Sequence, residues 1–291
     1  MNNFFARLKC LIRLRKKIVV FSAFKHMASF WTFYCIVEKI FSFFLNSQDC
    51  APTWIFIILI LVAPFLVAFC EAFPVTEMNI VLDDVGTTIK VQFGDLFKCE
   101  GMIAIGVNDY FDTEIENGII SPTSLHGMFI KKVVGTEMGK FEAFLHNELP
   151  SENGCKNDSR QRGKKVKYPV GTTVVYSQGK NGYLLTAISE MNEKNEAHSN
   201  MALITSSTFE MLRKARSCCN GKPLFMPLWG TGLSRTNMRP KHVLMNLLTA
   251  IYYEAKQSKI TNNITIVIYE KMLTKFDLKY IVDEWGKNGV S

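Results

Sequence analysis

The sequence predicts an α/β class domain, a layered sheet with helices on both faces, preceded by an α-helical membrane hairpin of two spans. Three observations lead there. Residues 50–70, CAPTWIFIILILVAPFLVAFC, run 21 positions without a charged side chain, and roughly 20 apolar residues of helix cross the hydrocarbon core of a bilayer. A basic run of Arg7, Lys9, Arg13, Arg15, Lys16 and Lys17 precedes them. Beyond residue 75, short β-rich runs alternate with helical patterns, the signature of a sheet covered by helices.

Taken in order, the basic run is interleaved with Phe4, Phe5, Leu8, Leu11, Ile12 and Leu14. It reads as an amphipathic surface helix and, by the positive-inside rule, sets the N-terminus in the cytoplasm. The apolar region 18–45 follows, interrupted by Lys25, Glu38 and Lys39. A charge at mid-bilayer costs about 2.5–3.5 kcal/mol on insertion scales. A span over about 28–45, with Glu38 and Lys39 facing a partner helix, is therefore favoured over one starting earlier. A helix lying in the membrane interface is the alternative. Residues 46–51 are the outer turn. The second span covers about 53–70, with Trp54 as an interfacial anchor and Pro64 tolerated as in other membrane helices. A buried core helix or a cleaved signal sequence competes with this reading, but the apolar run starts too far from Met1 for a signal peptide.

The chain has 291 residues and a net charge of +8, of which +5 lies in residues 1–75. The excess cations thus gather at the membrane end, which favours anionic lipid and no nucleic acid as partner. Eight scattered cysteines form no C-x-x-C pair. They point to a reducing compartment, and no metal site is expected. The organisation is a membrane part over 1–75 and one ligand-binding domain over 76–291.

In that domain, 80–82 and 88–93 read as short strands and 101–107 as a buried one. Segments 122–133 and 136–149 read as helices, and 151–168 as an exposed polar loop. Strands 172–177 and 183–189 flank Gly179-Lys180-Asn181-Gly182, a hairpin signal. A helix over 201–215, a strand over 223–227, a helix over 239–256, a strand over 264–269 and a helix over 276–286 complete the pattern.

Two segments signal a ligand. Pro227-Leu228-Trp229-Gly230-Thr231-Gly232-Leu233-Ser234 follows a strand and precedes a helix. Glycines flanking a threonine there let backbone N–H groups face a phosphate, although an ordinary turn has the same look. Upstream, one strand ends in Gly94-Asp95 and the next in Gly106-Val107-Asn108. Carboxyl ends of strands are where open α/β sheets bind ligands. Asp95 can accept from an adenine amino group, or cap the helical turn after it. Asn108 can contact ribose hydroxyls, or build a turn.

Together these residues resemble a macro domain, the ADP-ribose-binding α/β fold with a mixed sheet. Gly94-Asp95-Leu96 matches its Gly-Asp-Ile motif, and residues 102–108 its strand ending in Asn. Tyr168-Pro169-Val170-Gly171-Thr172 matches its Pro-x-Gly strand entry, and residues 227–232 its Pro-x-x-Gly-Thr-Gly diphosphate loop. More narrowly, Asn108-Asp109-Tyr110-Phe111-Asp112-Thr113, Ser124-Leu125-His126-Gly127 and residues 191–199 resemble the membrane-anchored macro-domain effectors of bacterial Thoeris antiphage systems.

The resemblance implies a membrane effector of antiphage defence, in the bacterial inner membrane with its ligand domain in the cytoplasm. Its ligand is an ADP-ribose conjugate made by a TIR-domain enzyme, histidine-ADP-ribose in this branch, and it needs no cofactor. Binding leads to homo-oligomers, membrane disruption and abortive infection. The implied contacts are Asp95, Leu96 and Tyr269 at adenine, and Gly230, Thr231, Gly232 and Leu233 at the diphosphate. Asn108 serves the distal ribose, with Ser124, His126, Gly127, Asn192, Asn195 and His198 around the group attached to it. Packing or capping is the alternative for His126, and core packing for Tyr269. Hydrolytic macro domains carry two asparagines in the first strand motif and a triple-glycine loop after it. Here Ile105 holds the first position and no triple glycine follows. Binding without turnover is expected, a membrane-tethered ADP-ribosyl hydrolase being the alternative.

Overall fold

The computed structural model describes residues 2–45, 53–230, 238–274, 278, 281 and 285. Its contacts divide the chain into two units, Met1–Thr76 with Lys271–Lys279 and Glu77–Glu270 with Tyr280–Ser291.

The first unit is helical. Helix α1 (Asn2–Cys10) passes through a π-helical turn, Leu11–Arg15, into α2 (Lys16–Leu45), and α3 (Thr53–Glu71) returns beside it. Ser22 Oγ donates to Glu71 Oε2 at 2.7 Å and His26 Nε2 lies 3.0 Å from the same oxygen, so α3 runs antiparallel to α2. The first helix is thus longer than the expected 28–45, because the charged residues before Ala28 continue it without a break. The basic run is not uniformly a surface feature. Arg15 is buried and donates from Nη1 to the carbonyls of Ala72 (2.9 Å) and Phe73 (3.3 Å). Arg7 donates to Pro74 O and stacks over Phe73. Two cations thereby satisfy carbonyls left unpaired past the end of α3, while Lys9, Arg13, Lys16 and Lys17 stay exposed. Among the described residues no helix is long and apolar enough to cross a membrane, so the two-span hairpin finds no support there. Its expected outer turn, residues 46–51, lies outside the described residues.

The second unit is the sheet. Strand β1 (Glu77–Leu82) alternates exposed and buried side chains, as an edge strand with one solvated face does. It pairs antiparallel with β2 (Thr87–Gly94). A single helical turn, Leu96–Lys98, leads to β3 (Met102–Asn108), an almost continuously buried run typical of a central parallel strand. Helix α4 (Leu125–Phe129) and its π-helical extension Ile130–Val134 precede α5 (Met138–Glu148). The expected exposed loop 151–168 holds a short ladder, β4 (Cys155–Lys156) with β5 (Val166–Lys167). β6 (Thr173–Gln178) and β7 (Asn181–Met191) form the expected hairpin, with Gly179 at φ +61° in the turn. β8 (Ala197–His198) folds back on β7, and α6 (Met201–Cys218), β9 (Leu224–Pro227), α7 (Pro240–Gln257) and β10 (Asn263–Tyr269) follow. The expected helix over 276–286 lies largely outside the described residues.

The main sheet runs β1-β2-β10-β9-β3-β7-β6. β2, β10, β9, β3 and β7 are mutually parallel, and β1 and β6 close the edges antiparallel. One core takes Ile103, Ile105 and Val107 from β3 and Phe129, Phe141 and Leu145 from α4 and α5. Aromatic rings tie it together, with Phe129 and Tyr183 centroids 5.1 Å apart and Phe141 and Tyr176 5.0 Å apart. No side chain of α6 or α7 joins that cluster. Their buried residues, Ile204, Met211, Leu244, Leu247 and Ile251 among them, cover the opposite face, on which the intervening side chains of β3 and β7 stand.

Candidate functional site

Because five neighbouring strands are parallel, their carboxyl ends share one edge of the sheet. In spatial order that edge presents Gly94-Asp95, Tyr269, the Pro227–Gly230 exit, Asn108 and the Met191–His198 turn. Strands lie about 4.8 Å apart, so five ends span roughly 19 Å. This is the order of the sequence expectation, which gives Asp95 and Tyr269 to adenine, Gly230 to the diphosphate, and Asn108 with the turn after β7 to the distal end.

At the β2 end, Asp95 caps its helical turn, its Oδ1 accepting from Phe97 N at 3.0 Å. Among the described residues its Oδ2 has no hydrogen-bond partner, so capping and ligand contact are compatible for a two-oxygen acceptor. Leu96 is buried in the main core. Tyr269 stands directly across from Gly94 in the β10–β2 ladder and is 56 % exposed. It does not pack the core.

Gly230, at φ +82°, turns the chain out of β9. Trp229 anchors that exit, its Nε1 donating to Thr208 Oγ1 at 3.2 Å in the interior. Thr231, Gly232 and Leu233 lie outside the described residues.

Asn108 is buried and builds a turn. Its Oδ1 accepts from Tyr110 N (3.1 Å) and Asp112 N (3.2 Å), and its Nδ2 donates to Asp112 Oδ2 (3.0 Å). The turn alternative is therefore what the geometry displays, and it leaves one amide hydrogen for a ribose. Asp109 is fully buried beside it. Its Oδ1 accepts from Met191 N at 3.0 Å, while Lys167 Nζ approaches Oδ2 at 3.4 Å without hydrogen-bond alignment. Burial pushes this carboxyl up to about 6.

Ser124 caps α4, accepting from Gly127 N at 2.9 Å. Gly127 admits no side chain, since a Cβ there would lie 2.2 Å from Ser121 O. His126 is buried in the same turn, and burial pushes its imidazole down to about 4, against the pull of nearby Asp112. It is a neutral ring at cellular pH. The Asn192 side chain closes its own turn, accepting from Lys194 N and Glu196 N, both at 2.9 Å. Asn195 sits in the left-handed region at φ +58°. His198 is exposed in the β8–β7 ladder, opposite Glu190.

Sequence reasoning missed the group that binds these turns together. Arg160, from the supposedly exposed loop, is buried. It grips Asp112 through Nη1–Oδ1 (3.0 Å) and Nη2–Oδ2 (2.8 Å) and donates to Asn195 Oδ1 from Nε (3.0 Å) and Nη2 (2.7 Å). Its guanidinium lies 3.8 Å over the Tyr110 ring. No local periodicity announces a pair 48 positions apart. A groove of about 480 Å³ lined by Gly171, Thr172, Glu210, Arg213 and Lys214 lies between the start of β6 and α6.

A mixed sheet whose parallel strands end in an acidic cap, a glycine exit and an asparagine turn defines a macro-type α/β domain. The sequence model of the macro domain of Thoeris protein ThsA matches residues 89–269, and the chain belongs to that family. It is 24 % identical to Thoeris protein ThsA of Bacillus amyloliquefaciens (strain Y2) over 219 residues, 73 % of this chain and 72 % of that protein. Among solved structures it is similar to the Oceanobacillus iheyensis macrodomain with ADP, at TM-score 0.50 and 13 % identity, over 72 % of this chain and 98 % of that one. The same macrodomain with MES bound gives the same score, identity and coverage. These structural likenesses establish the fold.

Proposed function

We propose that this chain is an antiphage effector whose α/β domain binds an ADP-ribose conjugate made by a TIR-domain enzyme, and that binding drives self-association and membrane disruption. The observation that carries it is the convergence of Asp95, Tyr269, the Gly230 exit, Asn108 and the Asn192–His198 turn on one sheet edge, in the order of the ligand's parts. Membership of the ThsA macro domain family supports it, as does the fold shared with a macrodomain solved with ADP. Backbone N–H groups at the glycine exit suit a diphosphate, whose charge strengthens each hydrogen bond.

Histidine-ADP-ribose is the proposed conjugate, with neutral His126 and the Asn192–His198 turn beside the added group. Binding occurs without turnover, a reading supported by the fully buried Ile105 where hydrolytic relatives carry asparagine. The membrane role rests on the uncharged run 50–70 of the sequence. The exposed cations Lys9, Arg13, Lys16 and Lys17 suit anionic lipid at the cytoplasmic leaflet. A ligand shifts assembly only if it prefers the assembled state.

Native mass spectrometry of the full chain, purified from phage-infected cells that also express the TIR-domain enzyme, tests the ligand. A bound species with the mass of ADP-ribose plus one histidine less one water is expected, and ligand-free protein from those cells overturns the assignment. Incubation with the labelled conjugate separates capture from hydrolysis, and released product favours the tethered hydrolase. Carbonate extraction of the same membranes tests the anchor, which fails if the chain washes off.

A further inference from the structure

We infer that the Arg160–Asp112 pair is the positioning element for the distal end of the ligand, and this rests on the reading of the strand-end edge given above. Three turns meet at that end: residues 108–112 after β3, the loop 157–164 between β4 and β5, and residues 192–196 after β7. Arg160 joins all three. Besides Asp112 and Asn195 it donates from Nη1 to Lys164 O at 2.5 Å, and Lys164 N donates to Asp112 Oδ1 at 2.9 Å. Tyr110 lies under the guanidinium, and its hydroxyl accepts from Asn157 Nδ2 at 3.0 Å. Gly163, at φ +84°, lets the loop close tightly, since a Cβ there would lie 2.6 Å from Asp112 Oδ1.

The pair reaches the site through two asparagines. Asp112 Oδ2 holds the Nδ2 of Asn108. Arg160 occupies Asn195 Oδ1 twice, which fixes the amide plane at a backbone position that costs strain outside glycine. Both asparagines stand at the β3 and β7 ends, beyond the glycine exit of β9. Among the described residues, no hydrogen bond or ion pair joins the β2 and β10 ends to the pair. Arg160 therefore acts on the group held at the β3 and β7 ends, and the described residues at β2 and β10 stand apart from it. A lysine cannot replace it, because one ammonium does not reproduce a planar fork serving two partners.

ADP and ADP-ribose separate the two ends, since only the second carries a distal ribose. Calorimetric titrations of the full chain are expected to show wild-type protein binding ADP-ribose about tenfold or more tightly than ADP. Arg160→Met alone strands the Asp112 carboxylate in the interior and risks unfolding. The double variant Asp112→Asn with Arg160→Met removes both charges and keeps an acceptor for Lys164 N, so its melting temperature is the folding control. This variant should hold ADP within about twofold of wild type and lose the ADP-ribose excess to within about threefold. Arg160→Lys should lose most of that excess too. A preserved excess in the double variant, wild-type behaviour in Arg160→Lys, or ADP and ADP-ribose weakening in parallel overturns the inference. Wild-type protein that binds neither nucleotide overturns the site itself, a result separate from these.

Discussion

Tyr269 and Gly94 are partners on the last rung of the parallel β10–β2 ladder, and Gly94 carries no side chain to cover the ring. Tyr269 is 56 % exposed and stands at the far end of the strand-end edge from the Arg160 cluster. Placed there, the ring is open to stacking by the base of the proposed ligand.

Tyr269→Ala should consequently leave the melting temperature almost unchanged while weakening adenine nucleotides. Stacking on an aromatic side chain is worth about 1–3 kcal/mol per base. Calorimetry with ADP should show a corresponding loss, and wild-type affinity in this variant contradicts the placement of adenine.

Asp95→Asn separates the cap from the base contact. Asparagine caps a helical turn as well as aspartate does, so stability should hold. The anionic acceptor for the adenine amino group is lost. Wild-type protein should prefer ADP over IDP, which lacks that amino group, and the variant should not. An unchanged preference in competition titrations would assign Asp95 to capping alone.

Gly127→Ala probes the turn that presents His126. A Cβ there meets the backbone oxygen of Ser121, which cannot swing aside as a side-chain tip can. Overpacking of this kind costs about 1–3 kcal/mol. Thermal unfolding should show the loss directly, and a neutral substitution would mean that the turn is loose.

The pH dependence of stability carries two opposed contributions. Asp109 is raised from 3.8 to about 6 by burial, so the folded state holds its proton longer and stability falls as pH rises from about 4 to 6. His126 is lowered from 6.5 to about 4 by burial, so stability falls as pH drops from 6.5 to 4. Each shift corresponds to roughly 3 kcal/mol, and over pH 4–6 the two slopes oppose each other. Denaturant unfolding of wild-type protein should therefore vary little across this window. Asp109→Asn should leave stability rising with pH, and His126→Gln should leave it falling. Parallel profiles for the two variants would contradict the assignment of either group.

Strands were the most legible part of the fold, because burial imposes a pattern on neighbouring residues. The runs 88–93, 101–107 and 264–269 read from hydropathy are β2, β3 and β10 to within a residue or so. The edge they share followed from their parallel order. What was illegible is long-range and polar. Arg160 lies in a loop rich in Lys, Asn and Ser, where a cation ordinarily stays in solvent, and only folding brings Asp112 to it. Arg15 is similar, since its position in a basic run hides that Ala72 and Phe73 supply its acceptors. Asn108 reads as a ribose contact with a turn as the alternative, and one amide can serve both.

The most direct test is calorimetric titration of the purified full chain with ADP-ribose, alongside Gly230→Val, which places a β-branched residue at φ +82° in the exit from β9. Saturable one-to-one binding by wild-type protein, abolished in a variant that still unfolds cooperatively, is the expected result. Folded wild-type protein that gives no heat with ADP-ribose, or a variant that binds it undiminished, would contradict a nucleotide site on the strand-end edge.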